Sequence, residues 1–117
     1  MAKKRRRNPQ ISKTLMSTTE LIEEMEEYLP IPVYPGKELR EFLRSKGKDI
    51  SRSTELQVTK VFDSGDEGGI VCSIIEEDSE VYIVSLTHLM IKPGHPLHSK
   101  IRTYQRKRIR KLARQNI

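Results

Sequence analysis

Between Leu56 and Ile91 short apolar runs alternate with clusters of turn-forming residues, and seventeen apolar side chains fall within that interval. Runs of this length, rich in Val and Ile and bounded by Gly, Asp and Ser, predict strands. They lie over residues 56–62, 70–75, 81–86 and 87–91. The segment Asp63-Ser64-Gly65-Asp66-Glu67-Gly68-Gly69 and the segment Glu76-Glu77-Asp78-Ser79 supply turns between them. Pro93, Gly94 and Pro96 then stop the sheet.

The pattern upstream has a helical period. Ser17 and Glu20 have the spacing of a capping box, and Leu21, Ile22, Met25, Tyr28 and Leu29 recur on one face after it. The predicted helix spans 17–28 and is strongly acidic through Glu20, Glu23, Glu24, Glu26 and Glu27. Pro30, Pro32 and Pro35 end it and impose an extended connector. A short second helix over 37–46 sets Leu39, Phe42 and Leu43 on one side, with Gly47 as its stop. That apolar side is the expected lid for the strands.

Downstream, 97–115 predicts the longest helix of the chain. Leu97, Ile101, Tyr104, Ile109 and Leu112 share an arc of about 140°. Lys100, Arg102, Arg106, Lys107, Arg110, Lys111 and Arg114 lie mostly outside that arc. Arg108 falls inside it, where its stem is expected to pack while its head reaches out. The element is a basic amphipathic helix without acids at i±4 to offset its repulsions.

These elements predict an α+β protein whose antiparallel strands curl into a small β-barrel, which removes exposed edges. In element order over residues 37–91, a helix followed by short strands, the chain resembles SH3-like and Sm-like barrels. Four segments follow: a disordered basic arm at 1–14, an acidic helix and Pro-rich connector at 15–35, a barrel domain at 36–96 and a basic C-terminal helix at 97–117.

Charge sharpens this picture. The chain has 117 residues and a net charge of +6, a modest value that hides strong segregation. Residues 1–14 hold six Lys or Arg and no acid; residues 92–117 hold nine and no acid. The stretch between them carries all sixteen acids and sums to −9. Two cationic ends flanking an acidic body favour a polyanionic partner. Folding of those ends onto the body's own acids is the competing expectation.

The candidate nucleic-acid-binding residues are Lys3, Lys4, Arg5, Arg6 and Arg7 in the arm, with Arg102, Arg106, Lys107, Arg110, Lys111 and Arg114 on the helix. Lysine and arginine on one side of a helix track phosphates and release counterions. Tyr104 among them would stack on an unpaired base if turned outward, which favours RNA over DNA, or would pack inward beside Ile101. No RNP aromatic pair, KH loop or zinc finger accompanies them, so sequence-tolerant contacts are expected. The alternative function is a protein-interaction adaptor or subunit of a larger complex, joined through the barrel edge and the amphipathic helices. A homo-oligomer in which acidic and basic helices pair is one form of it. Attachment to an anionic membrane surface has the charge but lacks an anchoring Trp or Phe.

Catalysis and cofactors are not expected. There is no P-loop, G-x-G-x-x-G, G-x-S-x-G or H-E-x-x-H. Asp63, Asp66 and Glu67 do not follow the EF-hand spacing, and His88, His95 and His98 with the lone Cys72 do not make a zinc pattern. Cys72, amid Ile70, Val71 and Ile74, is expected to be a buried apolar residue of a reducing compartment. No apolar run approaches a membrane span, and no hydrophobic block follows Lys3–Arg7 as a signal peptide requires. The expected location is the cytoplasm, or the nucleus of a nucleated cell, where Lys3–Arg7 would serve as an address.

Overall fold

The computed structural model describes residues 17–75 and 80–115. The arm Lys3–Arg7 and the turn 76–79 lie outside the described residues. The elements in order are α1 (Thr18–Glu26), β1 (Ile31–Pro35), α2 (Lys37–Ser45), β2 (Leu56–Asp63), a single helical turn α3 (Gly65–Gly68), β3 (Ile70–Ile75), β4 (Val81–Ser85), a 3-10 turn (Leu86–His88), β5 (Leu89–Ile91) and α4 (His98–Gln115). The chain is α+β.

Five strands form one antiparallel sheet in the order β4-β3-β2-β1-β5. The sheet is open: β4 and β5 are its edges, and among the described residues no pairing between them closes a barrel. β1 departs most from expectation, because the Pro-rich stretch is an internal strand and not merely a connector. Residues Ile31 to Val33 pair with β2, whereas Val33 to Pro35 pair with β5. Only Val33 is therefore flanked on both sides. Pro32 and Pro35 each face a neighbour on one side alone, the placement that a residue lacking an N–H tolerates. Alternation decides the rest, since Ile31, Val33 and Pro35 are buried and Pro32 and Tyr34 only partly so.

α1 begins where its capping box predicts. The Ser17 hydroxyl accepts from Glu20 N at 3.0 Å, and Ser17 N donates to Glu20 Oε1 at 3.1 Å. Leu21 and Met25 enter the core, while Tyr28 stays partly outside, edge-on to His95. α2 buries Leu39 and Leu43 but leaves Phe42 45% exposed, edge-on to Tyr82 and beneath the Lys46 ammonium. Three consecutive strand-prone residues, Leu86, Thr87 and His88, form a 3-10 turn because the Ser85 hydroxyl accepts from Thr87 N and caps it.

The two faces of the sheet are unlike. On the inner face Val58, Ile70, Cys72 and Ile74 are buried with Ile31, Leu56 and Ile101. Burial pushes the Cys72 thiol up to about 12, so this residue is core and not a nucleophile. On the outer face Val81 and Ile83 of β4 remain 56% and 60% exposed, and Phe62 of β2 remains 42% exposed. Val71, directly opposite Phe62, and Ile75, directly opposite Val81, are half-buried beside them.

Candidate nucleic-acid interface

α4 packs beside the 3-10 turn with Leu97, Ile101, Gln105 and Arg108 buried and Tyr104 half-buried. The expected apolar arc faces the core but is narrowed at one edge, where Ile109 is 53% exposed. Backbone hydrogen bonding explains why two polar side chains share that face. Gln105 Nε2 donates to Leu86 O at 2.8 Å and to Leu89 O at 2.7 Å. Arg108 donates through Nη1 to Asp66 O at 2.6 Å and through Nη2 to Glu67 O. Burying Ile109 fully contributes about 1.5–3 kcal/mol. Leaving even two buried carbonyls without donors costs about 1–3 kcal/mol each. The carbonyls win, and two polar side chains take the inward positions.

The expectation that the Arg108 head reaches out is therefore corrected: its guanidinium closes the last turn of α3. Gln105 was missed because only apolar positions were counted in the period. The signal was available, since Gln105 lies four residues after Ile101 and would share its side of any helix. Replacing Gln105 by alanine strips two carbonyls of their donor. The expected cost is about 2–4 kcal/mol, read as a lowered urea midpoint with an unchanged m value.

Tyr104 also points inward. Its hydroxyl accepts from Ile70 N at 2.8 Å, which ties α4 to the first residue of β3. Burial raises its ionisation above the ordinary phenol range, partly offset by that hydrogen bond and by Arg108. With its ring packed against the core it offers no platform for a base.

The remaining cations form the outer surface of α4. Arg102, Arg106, Lys107, Arg110 and Arg114 are exposed and Lys111 is half-buried. Arg102, Arg106, Arg110 and Arg114 recur every four residues. Each is thus raised about 6 Å and turned about 40° from the one before, making a stripe about 18 Å long. Arg102 donates to Gln105 Oε1 at 3.1 Å, which orients it without neutralising it. Arg106, Arg110 and Arg114 make no ion pair with any described residue.

The lysine flank is partly compensated. Lys100 meets Glu24 of α1 at 2.7 Å, and Lys111 lies 3.9 Å from the exposed Asp66 carboxylate. Together with Lys107, Thr103 and Thr18 they border a cleft of about 230 Å³ between α1 and α4. Contacts of this exposed kind contribute roughly 0–1 kcal/mol and yield readily to a stronger anion. Among the described residues the acidic body thus engages one side of the helix and leaves its arginine stripe uncovered.

Elsewhere the titratable groups are scattered. His88 pairs with Glu38 at 3.0 Å, and His95 Nδ1 accepts from Leu97 N at 3.0 Å. Among the described residues no three His, Cys, Asp or Glu side chains converge to hold a metal ion, and no helix is long and apolar enough to cross a membrane. No protein-family model, curated protein or solved structure matches the chain.

Proposed function

We propose that the protein binds nucleic acid without enzymatic turnover, through sequence-tolerant contacts from α4 to the phosphate backbone. The observation that carries this reading is the row Arg106, Arg110 and Arg114, unpaired within the described residues, on a helix whose other face is fixed in the core. Like charges at i,i+4 each cost a helix about 0.2–0.5 kcal/mol, and a polyanion lying along the row reverses that cost. Arginine suits the task because its planar guanidinium engages phosphate oxygens in pairs. Lys107 and Lys111 extend the surface toward α1. The arm residues Lys3, Lys4, Arg5, Arg6 and Arg7 supply further cations by composition.

The preference for RNA rested on an outward Tyr104; with its hydroxyl engaged by Ile70 N, the proposal covers RNA and DNA alike. The pairing of β1 with both β2 and β5 supports reading the sheet as an incompletely closed small barrel of SH3-like or Sm-like type. In that architecture the sheet is the platform and α4 the contact element. The test is a salt titration of the full chain against duplex DNA, structured RNA and single strands. With about five phosphates engaged, log K should fall against log[salt] with slope about −4.5 on duplex DNA and −3.5 on single strands. Affinity that is indifferent to salt overturns the proposal.

A further inference from the structure

We infer that the cleft between α1 and α4 is a binding site for a terminal phosphate, a compact dianion carried on the end of a nucleic-acid strand or on a small molecule. The site uses side chains other than the arginine stripe, and it stands whether or not that stripe holds nucleic acid.

Donors converge here from two elements. Lys100, Lys107 and Lys111 lie within an arc of about 40° on α4, and all three line the cleft. Thr103 brings a hydroxyl from the same helix. From α1 comes Thr18, its first residue. The N–H groups that open a helix have no carbonyl within it to meet, and they favour an anion. The Tyr104 hydroxyl is the most telling donor. It accepts from Ile70 N but donates to no described residue, so its hydrogen is left to a guest in the cleft. Burial raises its ionisation above the ordinary phenol range, which keeps that hydrogen in place at neutral pH.

Charge and size narrow the guest. Four cations and one acid line the cleft, counting Arg108, whose Nη1 and Nη2 stay on the Asp66 and Glu67 carbonyls and add charge without a contact. The acid is Asp66, whose side chain is 98% exposed and 3.9 Å from Lys111. Lys100 is held at 2.7 Å by Glu24, a second carboxylate beside the site. Carboxylates thus already sit against two of the lysines. A phosphate dianion, with three strong acceptor oxygens, replaces those weak contacts with stronger ones. The volume of about 230 Å³ falls below the roughly 300–1,000 Å³ of sites that enclose drug-sized ligands. It suits a phosphate group and leaves the rest of its carrier outside.

Titrating the full chain with inorganic phosphate, at an ionic strength fixed with sodium chloride, tests this through backbone amide chemical shifts. The shifts should centre on Thr18, Thr103 and Tyr104 and should saturate. Lys107→Gln combined with Lys111→Gln should weaken binding about tenfold or more. Lys60→Gln, at an exposed lysine of β2, should change it by less than about twofold. Asp66→Asn removes the competing carboxylate and keeps the carbonyl that holds Arg108, so it should tighten binding about threefold. A purely structural role for the lysines would not produce that opposite sign. A single strand ending in a phosphate, compared with the same strand ending in a hydroxyl, identifies the source. Tighter binding of the phosphorylated strand, lost in the double lysine variant, assigns the site to strand ends; equal binding of the two strands assigns it to small phosphorylated molecules. Shifts that never saturate overturn the inference, as does a double lysine variant that binds phosphate like wild type, or a Lys60→Gln variant that weakens it as much.

Discussion

Replacing Arg106, Arg110 and Arg114 together by alanine is expected to reduce the salt slope of duplex binding by about 2.7, from about −4.5 to about −1.8. Each phosphate contact contributes about 0.9 to that slope, and three are removed. At physiological salt the same loss corresponds to roughly a hundredfold weaker binding. The fold should be unaffected. The three side chains are exposed and free of ion pairs with described residues, and alanine is the strongest helix former. Removing their mutual repulsion should raise the thermal midpoint slightly or leave it unchanged. Fluorescence anisotropy across a salt series checks the slope, with thermal melts as the control for folding. A variant that keeps the wild-type slope shows that the helix does not touch the backbone, whatever the arm contributes. Truncation after Pro96 is a poorer test, because it also removes Leu97, Ile101 and Gln105 from the core.

Gly69→Ala should be the most damaging single substitution for stability. Gly69 has φ 64° and ψ −148°, a conformation open essentially to glycine alone. A Cβ there would run into the Tyr104 hydroxyl and the Arg108 guanidinium. Both groups anchor α4, one to Ile70 N and the other to Asp66 O and Glu67 O. Backbone strain and displaced hydrogen bonds together should cost about 3–5 kcal/mol. Chemical denaturation measures it against Gly94→Ala, whose added methyl meets nothing within 4 Å. If the two variants unfold at the same denaturant concentration, the junction between α3 and α4 is not a structural anchor.

How much the sequence disclosed depends on the distance over which each interaction acts. α1 was legible because its capping box is local: Ser17 and Glu20 satisfy each other within one turn. The stop of α2 was legible for the same reason. Gly47 takes φ 85°, and Lys48 N donates back to Leu43 O. β1 was not recognised as a strand, because proline counts against a strand until the flanking register is known. The stagger that excuses Pro32 and Pro35 depends on β5, more than fifty residues away. The face of α4 was legible, but not its edge at Ile109 or the polar residues that share it. Apolar period alone favoured Ile109, whereas carbonyls on α3 and around the 3-10 turn required Gln105 and Arg108. The cationic row itself was plain in the sequence. That the described acids of the body would compensate the lysine flank and not the arginine stripe depended on where α1 packs.

One guanidinium on α4 is mortar and its neighbours are exposed masonry. Arg108 is only 8% exposed, yet Arg106 and Arg110, two residues to either side, face solvent. A tally of positive charge counts all three alike, although a passing anion would meet only two of them. Wholesale neutralisation of the helix would therefore confound collapse of the scaffold with loss of an anion surface, and only position-by-position replacement tells them apart.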